Sequence, residues 1–234
     1  MFSRRSLLAL TAGVLAWPLS SRGADNVPAV LDHILLGASD LESGIAFVQQ
    51  HTGVAAALGG VHPGRGTRNA LVSLGEKHYL EIIAPDPAQP GAPDHYDLKK
   101  LTAPRLVGWA AHTGDLAAFA ARLREAHLGF DGPTPGSRRR PDGRLLEWKT
   151  LNLHDNREGL LPFFIEWSAG TVHPSVDAPP GCALLRFELS TPRSNELQRT
   201  CALLDLDVPV VHGEKPQLLA RIAGRAGRLM TLAS

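Results

Sequence analysis

The sequence predicts an α+β fold built from two consecutive βαβββ units, with a shorter third unit of the same kind at the C-terminus. Short apolar segments with alternating patterns recur around helices of similar length in each half. Both helices begin at an Asp-Leu pair, at Asp40 and at Asp115. Each half then ends in an aromatic–aliphatic–Glu sequence, at Glu81 and at Glu166. Self-similarity of this kind indicates an internal duplication.

Residues 1–24 are predicted to be a signal peptide outside the folded protein. Arg4 and Arg5 precede an apolar run from Leu7 to Leu19, as a basic n-region precedes an h-region. The adjacent arginines favour a twin-arginine signal over a general secretory signal with two basic residues by chance. The apolar run is too short for a helix that crosses a hydrocarbon core of about 30 Å. We therefore expect a periplasmic or secreted protein, with no membrane segment after cleavage.

The charge balance argues against nucleic acid and anionic membranes as partners. Residues 1–24 contain three arginines and no acid, so the 24 basic and 23 acidic residues of the chain become 21 and 23 after cleavage. A nearly neutral protein has no electrostatic basis for binding polyanions. The expected partner is a small-molecule substrate or ligand, and a homodimer stays open. Cys182 and Cys201 are expected as buried thiols, although export permits a disulfide.

The first unit is predicted at residues 28–90. Its expected elements are a strand at Val30–Gly37, a helix capped by Ser39 and running to Gln50, a loop at Gly59–Gly66, and strands at Thr67–Leu74 and His78–Ala84. The period-2 geometry of strands places His33 on one face of the first strand and Glu81 on one face of the last. These two side chains can therefore face one cavity.

The second unit is predicted at residues 104–172 and the third at residues 180–234. Expected elements of the second are a strand at Leu106–Thr113, a helix from Asp115 to before Gly129, a loop at Pro133–Gly143, and strands at Leu145–Leu153 and Phe163–Trp167. The third is expected to have strands at Ala183–Leu189, Val208–Val211, Leu218–Ile222 and Arg228–Leu232, and a helix at Asn195–Leu204. It has no glutamate that matches Glu81.

Three segments resemble the glyoxalase-like domain family of the vicinal oxygen chelate superfamily, which also contains bleomycin-resistance proteins and extradiol dioxygenases. They are LDHILLGASDL at residues 31–41, GTRNAL at residues 66–71 and PFFIEW at residues 162–167, with HPS at residues 173–175. The resemblance covers roughly residues 29–190. It implies that the first two units, within residues 28–172, pair into a cup-shaped mixed sheet around one cavity.

The resemblance also implies a divalent metal ion in the cavity. His33, Glu81 and Glu166 are the expected ligands, and zinc, manganese, iron or nickel would accept imidazole plus carboxylate. Gly108 occupies the position of a fourth ligand. His112 lies four residues further along that strand, about 13 Å away, too far to replace it. Three ligands leave open positions for catalysis, but the same gap fits a site without metal.

Five residues are candidates for binding substrate. His62, Arg68 and Asn69 belong to the loop and strand that most resemble the family, and His112 and Trp148 complete the set. Turn chemistry is the alternative for His62, and core packing is the alternative for Trp148. The run Arg138–Arg140 can receive an anionic substrate, but a solvated loop is the simpler interpretation because a Pro-Asp-Gly turn follows.

The expected function is that of an exported metal-dependent lyase, isomerase or dioxygenase acting on a small substrate with adjacent oxygens. The metal would act as a Lewis acid, and Glu166 or Glu81 would move a proton as general base. The alternative is a metal-free protein of the same fold that binds a small molecule, as drug-resistance proteins do. At this point whether the protein is an enzyme stays open, because one fold supports many functions.

Overall fold

The computed structural model describes residues 27–234, so the predicted signal at residues 1–24 lies outside the described residues. Between residues 27 and 234, no helix combines the length and the apolar character needed to cross a membrane. The first unit contains β1 (Leu31–Gly37), α1 (Leu41–Thr52), β2 (Ala57–His62), β3 (Thr67–Ser73) and β4 (Tyr79–Pro85). The second contains β5 (Arg105–His112), α2 (Leu116–Glu125), β6 (Phe130–Arg139), β7 (Leu145–Leu153) and β8 (Phe163–Trp167). A short 3₁₀ helix at Leu98–Lys100 interrupts the connection between them.

The two units form one eight-stranded mixed sheet in the order β2-β3-β4-β1-β5-β8-β7-β6. In each unit the first strand runs parallel to the last, β1 beside β4 and β5 beside β8, while β1 and β5 meet antiparallel at the centre. The outer strands β2 and β6 approach each other, because the guanidinium of Arg138 donates to the carbonyl of Gly59. The predicted cup of paired βαβββ units is therefore confirmed, and a single chain completes it.

The helices cover the outer face of the curled sheet. Ile34, Leu36 and Ile82 alternate onto this face and are fully buried, together with Leu116 of α2 and Leu41 of α1. Each such side chain contributes about 1.5–3 kcal/mol relative to an exposed one. The inner face carries His33 and Glu81 instead, and it lines a cavity.

Both helix starts depend on aspartate. The Asp40 carboxylate accepts from the Ser43 N–H, so Asp40 rather than the predicted Ser39 is the N-cap of α1. Gly53 ends α1 in the left-handed region with φ of 72°, as a C-terminal glycine does. α2 was predicted to start at Asp115, which is its N-cap and accepts from the Ala118 N–H.

The predicted loops at residues 59–66 and 133–143 are strand as far as His62 and Arg139, and turns follow in both. β2 and β6 occupy these Gly- and Pro-rich stretches, and the predictions were wrong because both strands lie at the edges of the sheet. An edge strand tolerates proline and glycine, because one of its sides makes no hydrogen bonds to a neighbouring strand. The pairing of β6 with β7 shifts register between Asp131 and Thr134, at Pro133, and β2 shifts between Leu58 and Gly60.

The third unit has the predicted order of elements but a different strand pairing. A short helix α3 (Pro174–Asp177) leads into β9 (Ala183–Thr191), α4 (Ser194–Leu203), β10 (Val210–His212), β11 (Gln217–Ala223) and β12 (Leu229–Ala233). Its sheet has the order β10-β9-β11-β12, so its first strand is internal and pairs with the second and third. This sheet packs against the second unit, where Phe187 meets Trp109 edge to face at 5.2 Å. Cys182 and Cys201 are free thiols.

Candidate active site

The inner face of the eight-stranded sheet surrounds a cavity of about 450 Å³. The first unit supplies most of its polar groups, and the second supplies most of its aromatic surface. Deep positions are buried, while the exposed rim carries Arg65, His95, Asp131 and Asn152. The remaining lining residues are His33, Leu35, His62, Thr67, Asn69, Tyr79, Glu81, Ile83, Tyr96, Arg138, Trp148, Thr150, Phe163, Ile165 and Trp167.

His33 and Glu81 meet at the floor of the cavity. The parallel pairing of β1 with β4 sets Leu35 beside Glu81 and His33 beside Tyr79. His33 Nε2 lies 3.3 Å from Glu81 Oε2, and its ring stacks on Tyr79 with centroids 4.5 Å apart. The Nε2 atom is buried and makes no well-aligned hydrogen bond within residues 27–234, although it is within ion-pair distance of Glu81. Its N–H therefore lacks a well-aligned acceptor within the described residues.

Asp32 is the site residue that the sequence analysis missed. Its buried carboxylate accepts from His33 Nδ1 at 2.6 Å, from Trp167 Nε1 at 2.9 Å and from His173 Nε2 at 3.2 Å, with the histidine protons assigned from this network. Strict alternation would place Asp32 on the opposite face from His33. The pairing of β1 with β5 shifts register between Leu31 and His33, which is where the backbone departs from that alternation. The signal in the sequence was an aspartate next to His33 in a strand whose other residues are apolar.

The two carboxylates hold His33 as an imidazolium. Burial alone would lower the pKa of His33, but the hydrogen bonds and charges of Asp32 and Glu81 outweigh burial and raise it to about 9. Burial would raise the pKa of Asp32, yet the hydrogen bonds from His173 and His33 bring it well below the usual range. At neutral pH the floor therefore contains a buried cation oriented by a buried anion.

Glu81 is an ionised carboxylate with a second set of partners. Asn69 Nδ2 donates to Glu81 Oε1 at 2.7 Å, and His62 Nε2 lies 3.6 Å from the same oxygen. Burial would raise the pKa of Glu81, but His33, His62 and Asn69 lower it to about 2. Burial lowers the pKa of His62 although the charge of Glu81 opposes that change, and its Nδ1 pairs with the Thr67 hydroxyl at 2.8 Å. Of the predicted substrate-binding residues, His62 and Asn69 thus line the cavity.

An aromatic wall faces this polar floor. Trp148 and Trp167 pack edge to face with centroids 5.6 Å apart, beside Phe163 and Ile165. Trp148 lies over Gly136, where a Cβ atom would come within 2.6 Å of the indole nitrogen. Trp148, also a predicted substrate-binding residue, therefore lines the cavity as part of a close-fitting wall.

The structure does not bring Glu166 to His33 and Glu81, so the predicted three-residue cluster is wrong. On β8 the side chains that face the cavity are Phe163, Ile165 and Trp167, and strand alternation directs Glu166 to the opposite face. There its carboxylate accepts from the Leu116 N–H at 2.7 Å and pairs with Lys149 at 3.3 Å. The sequence comparison of the two halves matched Glu166 to Glu81 with an error of one residue. A shift of one residue moves a side chain to the other face of the strand.

Two predicted substrate-binding residues also lie outside the cavity. Arg68 points to the helix side of β3, where it pairs with Glu42 at 2.9 Å and approaches Asp40 at 3.8 Å. His112 is exposed at the end of β5 and is not a lining residue. Alternation explains Arg68, because its neighbour Asn69 occupies the inward position. His112 shares a face with Ala110 but lies at the exposed end of β5.

The arginine run divides among three environments. Arg138 is buried at 3% exposure and lines the cavity, whereas Arg139 is exposed and Arg140 pairs with Asp177 at 2.9 Å. The expectation of a solvated loop is therefore wrong for Arg138, because this stretch continues β6. Burial lowers the pKa of Arg138 and the charge of Glu81 opposes that change, but a guanidinium stays charged at neutral pH.

The residues of the cavity do not fit the predicted metal site. Glu166 lies on the other face of the sheet, and Gly108 offers no donor where a fourth ligand was considered. Of the three predicted ligands, only His33 and Glu81 remain together, 3.3 Å apart. No group of three or more His, Cys, Asp or Glu side chains among residues 27–234 has an arrangement that holds a metal ion.

Comparisons with known proteins find a matching family model and similar solved structures. The family model described as glyoxalase-like domain matches residues 31–204. A hypothetical protein of Staphylococcus aureus is similar with a TM-score of 0.58 and 16% identity, covering 86% of this chain and 84% of that one. Methylmalonyl-CoA epimerase of Mycobacterium tuberculosis has a TM-score of 0.42 and 21% identity, covering 62% of this chain and 90% of that one.

A comparison with curated proteins finds no match. The family match covers both βαβββ units and reaches into the third unit. Together with the paired units around one cavity, it confirms the resemblance found in the sequence. The chain therefore belongs to the glyoxalase-like domain family.

Proposed function

We propose that this protein is an enzyme that moves a proton at a carbon next to a carbonyl group of a small substrate with adjacent oxygens, as a lyase or isomerase. The observation that carries the proposal is the buried pair of His33 and Glu81, held by Asp32 at the floor of a cavity of about 450 Å³. Perturbed, paired acids and bases in a concave site are typical of acid–base catalysis.

Glu81 is the proposed general base. Its low pKa depends on His33, so a substrate oxygen that takes over the His33 Nε2–H removes one of the interactions that offset burial. The pKa of Glu81 then rises toward the range in which a carboxylate accepts a proton from carbon. Asn69 holds the carboxylate in place during this change.

His33 is the proposed stabiliser of the negative oxygen that develops. Its imidazolium donates from Nε2 to the carbonyl oxygen as the carbon loses its proton to Glu81, and Asp32 keeps the ring oriented through Nδ1. A preorganised cationic donor in a buried site supports an enolate strongly. Return of the proton from Glu81 to carbon completes an isomerisation, and loss of a leaving group from the enolate completes an elimination.

This mechanism replaces the metal-dependent version expected from the sequence, since the donor set of the cavity does not fit it. Deuterium incorporation at carbon, followed by proton NMR in D₂O after treatment with chelator, is the test. A panel of small 2-oxo acids, including phenylpyruvate, supplies the substrates. We expect catalysed exchange by the wild type and strong loss in Glu81→Gln and His33→Gln.

Glu166→Gln is the matched control, because it changes an equivalent acid outside the cavity. Exchange that appears only after zinc, manganese, iron or nickel is added would overturn the metal-independent mechanism. Equal exchange by the wild type and Glu81→Gln would overturn the catalytic role of Glu81.

The second candidate function is binding of a small molecule without catalysis. The aromatic wall of Trp148 and Trp167 favours it, because such surfaces bind flat apolar ligands. A ligand that raises the melting temperature of the wild type, and equally that of a His33→Gln, Glu81→Gln double variant, would support this alternative. A ligand that stabilises only the wild type would count against it.

Export to the periplasm or medium is a further part of the proposal, supported by the Arg4-Arg5 sequence and the apolar run behind it. N-terminal sequencing of the protein from a periplasmic fraction should find a start near Ala24. Arg4→Lys, Arg5→Lys protein should stay inside the cell. A mature protein that retains residues 1–24 would contradict the signal peptide.

A further inference from the structure

We infer that the ligand of this cavity is a small carboxylate with a flat apolar body, and that Arg138 binds its carboxylate group. The inference deepens the proposed function, because it assigns a substrate class to the same cavity. It rests on the environment of Arg138, on an unpartnered hydroxyl nearby and on the shape of the adjoining wall.

Arg138 is a buried cation without a carboxylate partner. Among residues 27–234 its guanidinium donates only to the Gly59 carbonyl, and it makes no ion pair with an aspartate or glutamate. Its neighbour Arg140, by contrast, pairs with Asp177. A charged group in a site with 3% exposure is costly unless it is paired. A ligand carboxylate in the cavity supplies that pairing.

Glu81 does not take this place. Its charge acts on Arg138 from a distance, but the two groups are farther apart than an ion pair. The carboxylate of Glu81 is already shared by His33, His62 and Asn69. The guanidinium nitrogens that do not bond Gly59 are not enclosed by protein, since none is among the buried atoms without a partner. They therefore retain access to the cavity that Arg138 lines.

Thr150 lies on the same wall, further along the β6–β7 pair. It lines the cavity, and its buried hydroxyl has no hydrogen-bond partner within the described part of the chain. The pairing of β6 with β7 places Gly136 opposite Trp148, between the positions of Arg138 and Thr150. A carboxylate bound here thus lies beside an indole face, which a flat apolar body can cover.

The proposed reaction conserves the total charge around a carboxylate substrate. Without ligand, Asp32 and Glu81 balance His33 and Arg138, and a bound carboxylate adds one negative charge. When Glu81 takes the proton from carbon it becomes neutral, and the two cations then face Asp32, the ligand carboxylate and the new enolate. In a 2-oxo acid, Arg138 binds the carboxylate while His33 reaches the neighbouring oxygen, so the adjacent oxygens have separate partners.

Calorimetric titration with 3-phenylpropanoate and 3-phenylpropanamide tests the inference, because these probes have the same shape and differ in charge. We expect the wild type to bind the acid about tenfold or more tightly than the amide, as charge-assisted bidentate bonds do. Arg138→Gln should abolish this preference, and Arg138→Lys should retain part of it. Arg139→Gln, an exposed neighbour on the same strand, should leave it unchanged.

Equal affinity for the two probes, a preference that survives in Arg138→Gln, or no binding of the acid at millimolar concentration would overturn the inference. Circular dichroism and melting temperature establish that each variant is folded. Should Arg138→Gln lose its fold because the contact with Gly59 is lost, Arg138→Lys decides the question. Binding does not require turnover. Absence of deuterium exchange with the acid preference intact would refute the proposed reaction and leave the carboxylate site standing.

Discussion

The indole N–H of Trp167 donates to Asp32 across 2.9 Å, which ties the last strand of the second unit to the first strand of the first. Replacing Trp167 by Phe keeps most of the packing but leaves this acceptor position of a buried carboxylate open. We expect a loss of about 1.5–3 kcal/mol in the free energy of unfolding. Urea denaturation measures it. Trp148→Phe is the control, because Trp148 bonds no carboxylate within residues 27–234, and an equal loss there would contradict the role of the bond.

Asp32 sets the protonation of His33. Asp32→Asn removes a charge and an acceptor, so burial should prevail and the pKa of His33 should fall from about 9 toward or below 6.5. NMR titration of the imidazole resonances measures this shift. Asp131→Asn changes an exposed aspartate at the cavity rim and serves as the control. An unchanged pKa in Asp32→Asn would show that Glu81 alone holds the proton.

Stability should depend on pH through the same pair. The folded pKa of His33 is raised from 6.5 to about 9, so its contribution is complete below 6.5 and is lost as pH rises through 9. The folded pKa of Glu81 is lowered from 4.5 to about 2, so its contribution is complete above 4.5 and is lost as pH falls through 2. The full stabilisation therefore spans pH 4.5 to 6.5.

Urea denaturation of the wild type and of His33→Gln, from this range into the alkaline range, isolates the contribution of the pair. The difference in unfolding free energy should shrink by a few kcal/mol between about pH 6 and about pH 10. A difference that stays constant through the alkaline range would mean that His33 is neutral in the folded protein.

Glu166 should act on stability and not on ligand binding. Its carboxylate accepts from the first N–H of α2, so Glu166→Gln is expected to reduce the unfolding free energy by about 0.5–2 kcal/mol. The affinity for 3-phenylpropanoate should stay within twofold of the wild type, whereas Glu81→Gln should alter it. A strong effect of Glu166→Gln on binding would contradict its placement outside the cavity.

Gly136 should control the position of Trp148. Gly136→Ala places a Cβ atom within 2.6 Å of the indole nitrogen, so the ring must shift and ligand affinity should fall. Gly108→Ala is the control, because its Cβ atom would meet only Tyr96, at an ordinary 3.7 Å. Crystal structures of both variants, with calorimetric titration, measure the displacement. A weaker ligand affinity in Gly108→Ala than in Gly136→Ala would contradict this account.

The fold could be predicted from the sequence because duplication leaves local signals. Asp40 and Asp115 both precede the helices they cap, and the apolar alternation around Ile34 and Ile82 marks the buried face. The edge strands were missed because Pro133 and Gly60 are typical of loops, and sheet pairing overrides that local preference. The pairing of the third sheet is a tertiary property that the order of its elements does not determine.

The site was only half predictable. His33 and Glu81 follow from alternation along single strands, but the failure at Glu166 shows that matching segments by residue type does not fix which face a side chain takes. Asp32 required the register shift between β1 and β5, which depends on long-range pairing. Arg138 required recognition of β6 as a strand, since a basic run before a turn is ordinarily solvated.

The two units contribute different parts of the cavity. The first unit supplies the ionisable groups of the floor, and the second supplies Trp148, Thr150, Phe163 and Ile165. Substitutions in the second unit can therefore change which substrate the cavity accepts, while the first unit keeps the groups that carry out the reaction. Directed evolution toward a bulkier substrate should therefore collect its substitutions in β6, β7 and β8. His33 and Glu81 should remain untouched in every active clone.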